Sequence, residues 1–169
     1  YVWVEKAAQA GATMQVVPRP ANGDWTPGVL EAIGADTAIA ALPGCHWMDG
    51  SLLDLAAVGV RCREVGAAFV IDATQSTGAQ RLDVAAIQPD FLAWSAYKWL
   101  LSPYTLAFLY AAPHRRDGMP LELHSGNHDP SQQHGTYSAA LRQSAARYDM
   151  GERTNLTSVP MACAAMTQL

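Results

Sequence analysis

Five polar side chains sit just past two short apolar runs in this sequence, and their types suit a chemical site. Asp72 ends the run Phe69-Val70-Ile71, and Gln75 follows three residues later. Ser95, Tyr97 and Lys98 come directly after Phe91-Leu92-Ala93-Trp94. Short apolar runs of this length, closed by polar groups, read as buried strands. In open α/β sheets, ligands lie beyond the carboxyl ends of the strands. A carboxylate at such an end has lost much of its water and needs a partner. A lysine amine there can act as nucleophile and proton carrier.

The elements around these residues alternate between helix and strand. Val2 to Ala10 reads as helix, and Thr13 to Val17 as a short β-rich run ending at Pro18. Thr26-Pro27 opens a helix through about Ile33, with Thr at the N-cap and Pro in the first turn. Thr37 to Leu42 reads as a strand closed by Pro43-Gly44, and Ser51 to Val65 as an amphipathic helix with Asp54 near its start. Ala67 to Ile71, Phe91 to Trp94 and Thr105 to Tyr110 are further strands, with a brief helical turn over Asp83 to Ile87. Short, fully apolar strands between amphipathic helices predict an α/β fold of three layers, a mostly parallel sheet covered on both faces. His114 to Arg147 shows no sustained period and reads as a long irregular segment. The chain starts with Tyr1 in helical texture and ends in an uncapped helix-forming run, so it is expected to be an interior part of something longer.

Composition narrows the function classes. The 169 residues are 50% apolar and 15% charged, a globular balance with enough chain for one core. A net charge of −4, with no extended cluster of Lys and Arg, argues against a nucleic-acid partner. No apolar run approaches the roughly 20 residues of a membrane-spanning helix, so no membrane partner is expected. Cys45, Cys62 and Cys163 stand far apart, which favours a reducing, cytoplasmic setting over a disulfide framework. His124, His128 and His134 lack the carboxylate or Cys support of a metal site, so no metal is expected. The glycine and serine motifs of nucleotide-binding domains and α/β hydrolases are absent.

Val70-Ile71-Asp72-Ala73-Thr74-Gln75-Ser76-Thr77-Gly78-Ala79 resembles the cofactor strand of class V aminotransferases, which are fold-type I enzymes dependent on pyridoxal 5'-phosphate (PLP). Asp90-Phe91-Leu92-Ala93-Trp94-Ser95-Ala96-Tyr97-Lys98 resembles their lysine segment, and the 26-residue separation (98 − 72) suits the family. The resemblance covers roughly residues 36–169 and includes cysteine desulfurases, isopenicillin epimerase-like proteins and kynureninases. It implies Lys98 as the Schiff-base lysine and Asp72 as the partner of the pyridine nitrogen, both catalytic. Gln75 would bond the phenolic oxygen of the cofactor, and Ser95 and Tyr97 its phosphate. Tyr97 stands where desulfurases carry His, and with Trp94 it is closer to kynureninases.

Weaker candidates on the substrate side are His46 and Trp47, after the first strand, and Arg153 and Asn155 in Gly-Glu-Arg-Thr-Asn. Wall packing competes for the first pair and helix capping for the second. The resemblance makes residues 1–169 part of the large PLP-binding domain, with 148–169 leading toward a small C-terminal domain. The ring-stacking residue, the carboxylate-binding Arg and any catalytic Cys would lie elsewhere. An amino acid is the implied substrate and a homodimer with shared sites the implied assembly. Transamination, elimination of the desulfurase or kynureninase type, and epimerisation stay open, as does an inactive binding domain on the same fold. Tyr97 and Trp47 depart from the desulfurase pattern, so cysteine is not expected to be the preferred substrate.

Overall fold

The computed structural model describes residues 2–132, 138–152 and 155–169. Along the chain run α1 (Val2–Ala10), α2 (Thr26–Ala32), β1 (Ile39–Pro43), α3 (Leu55–Val65), β2 (Ala68–Asp72), α4 (Val84–Ile87), β3 (Phe91–Ser95), β4 (Ala107–Ala111) and α5 (Ser158–Met166). The four strands form one sheet in the order β1-β2-β3-β4. The pairs β1–β2 and β2–β3 are parallel, and β4 runs antiparallel to β3. This is the α/β fold with a mostly parallel sheet that the alternation predicts. Residues 96–106, which join β3 to β4, contain no helix. A parallel return needs a crossover of about a dozen residues or more, usually helical, so an antiparallel strand is what this short link permits.

Local signals explain where the helices start. Asp54 caps α3 by accepting the Ala57 N–H at 2.9 Å, and Asp83 caps α4 by accepting the Ala86 N–H at 3.1 Å. The α3 helix therefore begins later than Ser51; the Ser51 carbonyl instead accepts the His46 N–H at 2.8 Å. Thr26 is the first residue of α2 rather than its cap. Its hydroxyl accepts the Asp54 N–H at 3.0 Å and so ties the start of α2 to that of α3. The expected strand over Thr13 to Val17 does not form. Thr13 to Val16 is exposed, Val17 packs against the core, and the segment pairs with no strand among the described residues; β-propensity makes a strand only where a neighbour supplies the ladder.

Alternate strand residues build the core. Ala40, Phe69, Ile71 and Leu92 are buried against Val29 and Ile33 of α2, Leu55, Val58 and Cys62 of α3, and Ile87 of α4. Gly59 lets α3 and α4 meet: a Cβ there would stand 2.1 Å from the Ile87 carbonyl oxygen. On the opposite face, Ile39, Ala93, Ala107 and Leu109 are exposed, and Trp3 of α1 approaches the sheet there.

At the amino end of β3, the buried Asp90 joins three segments. Its carboxylate accepts the Phe69 N–H of β2 at 2.6 Å, and Arg115 Nε and His114 Nε2 at 2.6 and 2.8 Å. Burial pushes the Asp90 carboxyl up, but the Phe69 N–H, Arg115 and His114 together hold it below the usual carboxylate range.

Candidate active site

The carboxyl ends of the three parallel strands lie level, with Pro43 paired to Asp72 and Asp72 to Ala93. Two further backbone bonds keep the chains together past the strands: Gly44 N–H to the Asp72 carbonyl at 3.2 Å, and Ala73 N–H to the Ala93 carbonyl at 2.8 Å. The sheet thus delivers the segments after β2 and β3 side by side. This is the placement that the strand-end reading of Asp72 and Lys98 requires.

Asp72 is exposed at the end of β2, and its Oδ1 accepts the Thr74 N–H at 3.0 Å. That bond turns the chain immediately after the strand, a local role suited to a short carboxylate. Thr74 was not singled out in the sequence, yet its Oγ1 accepts the Ser95 N–H at 3.3 Å and bridges the two segments. One residue on, Gln75 Oε1 accepts the Trp99 indole N–H at 3.2 Å. Gly78, at φ +91°, packs under the same tryptophan; a Cβ there would stand 2.6 Å from the Trp99 carbonyl oxygen. The signal for Trp99 lay in its position beside Lys98, and that for Thr74 in its position two residues after Asp72.

Lys98 lies half-buried in the loop after β3, with Nζ 6.0 Å from the centroid of the Tyr97 ring. Tyr97 itself stacks on Tyr104 with centroids 4.4 Å apart. The Lys98 carbonyl accepts the Leu101 N–H at 3.1 Å, and the Ala96 carbonyl accepts the Ser102 N–H at 3.2 Å, so the loop closes tightly on itself. Leu101 (φ +54°) and Thr105 (φ +78°) hold left-handed backbone conformations that cost a side-chain-bearing residue energy, most of all β-branched Thr. The lysine loop therefore carries strain between Lys98 and β4.

A cleft of about 510 Å³ opens on the exposed sheet face at this end. Asp72, Thr74 and Ser95 line it, with Trp94, Phe108 and Trp3 among its apolar walls. Of the sequence candidates, Asp72 and Ser95 share this cleft. Gln75, Tyr97 and Lys98 stand in the adjoining loops. His46 stacks on Trp25, with centroids 4.9 Å apart, and its Nδ1 lies 3.2 Å from Asp49 Oδ1, so it packs toward α2 rather than lining the cleft. Trp47 is 72% exposed. Asn155 accepts the Thr157 and Ser158 N–H groups at 3.2 and 2.7 Å, which caps α5, while its Nδ2 reaches Thr105 Oγ1 at 3.4 Å. Asn155 thus ties α5 to the strained end of the lysine loop. Arg153 and His134 lie outside the described residues. Among the described residues, no group of three His, Cys, Asp or Glu side chains is arranged to hold a metal.

The segments after β2 and β3 thus meet on an α/β sheet, and the chain belongs to the aminotransferase class-V family, whose model matches residues 1–151. Enzymes of this family, cysteine desulfurases included, are PLP-dependent. The chain is 32% identical over 105 residues to the cysteine desulfurase IscS of Methylococcus capsulatus, a match covering 62% of this chain and 26% of that protein. It is 32% identical over 116 residues to the IscS of Pseudomonas entomophila, covering 68% of this chain and 28% of the relative. The chain thus spans little more than a quarter of the length of these relatives. Among solved structures, its fold is similar to the cysteine desulfurase CsdA of Escherichia coli, with a TM-score of 0.82, 22% identity, and coverage of 99% of this chain and 41% of the other. The apo cysteine desulfurase of Thermococcus onnurineus gives a TM-score of 0.79 at 21% identity, covering 98% and 40%.

Proposed function

We propose that this chain is part of the large domain of a PLP-dependent enzyme that acts on an amino acid through Lys98, with 148–169 leading toward a small domain. The observation that carries the reading is the pairing of the two segments: Asp72 and Lys98 follow adjacent parallel strands, and Thr74–Ser95 and Gln75–Trp99 bonds hold the segments in register. The donor set fits the cofactor group by group: an amine for an aldehyde, a carboxylate for a pyridinium, an amide for a phenolic oxygen and hydroxyls for a phosphate. The cleft beside Asp72 and Ser95 is of small-ligand size.

When bound, PLP supplies an aldehyde for amine capture and a ring that withdraws electrons from the substrate α-carbon. Lys98 Nζ would hold the cofactor through that aldehyde and, when free, would carry the proton to or from the substrate α-carbon. Asp72 would keep a proton on the ring nitrogen through a charge-assisted hydrogen bond. Gln75 would bond the phenolic oxygen, and the Ser95 and Tyr97 hydroxyls would bind the phosphate. Capping by its side-chain oxygen and its bond to Thr105 leave Asn155 a supporting place at the lysine loop, while His46, Trp47 and Arg153 stay substrate-side candidates.

The names of the relatives favour a second reading, cysteine desulfuration. Against it stand Tyr97 and Trp47, which depart from the desulfurase pattern. An amino-acid panel added to the intact protein with PLP decides, followed by visible absorbance and product analysis. Spectral change and a keto acid with amino acids other than cysteine support the first reading. Rapid alanine formation from cysteine supports the second. No response to any amino acid, with PLP bound, would point instead to an inactive binding domain.

We further propose a cytoplasmic homodimer. The loop after Lys98 exposes Trp99, Leu101 and Tyr104, an apolar surface of the kind that partners cover. Sedimentation of the intact protein tests this, and a fully active monomer would refute it.

A further inference from the structure

We infer that Trp99 is a positioning residue that sets the polarity of Gln75, so that Gln75 faces the cofactor with its NH2 group. This rests on the cofactor role of Gln75 proposed above and adds to it. An amide side chain has two ends of similar size and opposite hydrogen-bonding character, and either end can face a ligand. An indole N–H can only donate. Because Trp99 Nε1 lies 3.2 Å from the Gln75 amide, the end it meets must be the carbonyl oxygen. The NH2 group is thereby left for other partners, and it is the end that suits a phenolic oxygen carrying negative charge.

The tether has support beyond its own bond. Trp99 is 52% exposed, and a lone surface bond would exchange with water. Its backbone, however, lies against Gly78, whose missing side chain admits the Trp99 carbonyl and the Leu100 side chain at the same place. Leu100 is buried. The Thr74–Ser95 bond fixes the other end of the same pair of segments. The Trp99 backbone is therefore seated on the turn after β2, which keeps its indole within reach of Gln75. A residue next to Lys98 thus orients a residue three positions after Asp72.

The consequence falls on a proton held by Lys98. A donor at the phenolic oxygen stabilises the negative charge there most when the proton on the Lys98 nitrogen has left. It therefore lowers the pH at which that nitrogen titrates. The test uses the intact protein, with and without PLP, and the variants Trp99→Phe, Gln75→Ala and both together. Without PLP, the indole N–H resonance of Trp99, observed with 15N-labelled tryptophan, should move in Gln75→Ala. With PLP, the pH midpoint of the visible absorbance should rise by about one unit in Gln75→Ala, the size of one charge-assisted hydrogen bond. In Trp99→Phe it should rise in the same direction, by roughly half a unit or more, and the double variant should add little to Gln75→Ala.

A raised midpoint in Gln75→Ala with an unchanged one in Trp99→Phe would overturn the role of Trp99 and leave that of Gln75 standing. An unchanged midpoint in Gln75→Ala would overturn the cofactor role of Gln75 itself. Additive shifts in the double variant would mean that Trp99 acts by another route and would overturn the inference. If Trp99→Phe fails to fold, the apo resonance decides: an indole signal insensitive to Gln75→Ala overturns the tether.

Discussion

Replacing Asp90 with alanine tests how the sheet is held at the end remote from the cleft. The substitution strands the Phe69 N–H, whose residue is 1% exposed, away from water. An unpaired buried donor costs about 1–3 kcal/mol. Arg115 and His114 also lose their carboxylate, but their side chains are 41% and 66% exposed, so each contributes only about 0.5 kcal/mol. The sum is about 3 kcal/mol, which unfolding of the intact protein should register as a lowered midpoint. Because the Asp90 carboxyl is held below its usual range, its contribution is complete above the ordinary carboxylate value and is lost as pH falls through the depressed one. Urea unfolding at neutral and acid pH measures both effects. Asp90→Ala should flatten the acid limb as well as lower the midpoint at pH 7. A loss under about 1 kcal/mol at neutral pH would refute the reasoning, since it would mean that Phe69 N–H finds another partner or that the segments are not locked through Asp90.

Two further substitutions probe the packing and the chemistry. Gly59→Ala places a Cβ 2.1 Å from the Ile87 carbonyl oxygen and should cost about 1–3 kcal/mol by forcing α3 and α4 apart, read in the same unfolding assay. Asp72→Asn should leave PLP binding by the intact protein nearly unchanged but slow turnover by roughly a hundredfold or more, since a neutral amide cannot hold the ring nitrogen's proton.

The periodic parts of the fold were legible because burial writes them into the sequence. The strands read over Ala67 to Ile71 and Phe91 to Trp94 form within one residue of those bounds, as Ala68–Asp72 and Phe91–Ser95, and Asp54 and Asp83 mark helix starts. Thr13 to Val17 misled because pairing, not propensity, makes a strand. Thr26 misled because its hydroxyl is used by Asp54, a residue 28 positions away, rather than by its own helix. At the candidate site, Asp72, Gln75, Ser95 and Lys98 were conspicuous through type and spacing alone. Thr74, Gly78 and Trp99 were not, since each acts by touching the other segment across a parallel strand pair. Such contacts leave no periodic trace in the chain.

The central claim is that Lys98 is the residue joined to the cofactor. Borohydride reduction of the PLP-loaded intact protein, followed by peptide mapping, tests it directly. The reduced cofactor should be found on Lys98, and Lys98→Ala should show no labelled peptide, visible band or turnover. Label on another lysine, with activity retained in Lys98→Ala, would contradict it.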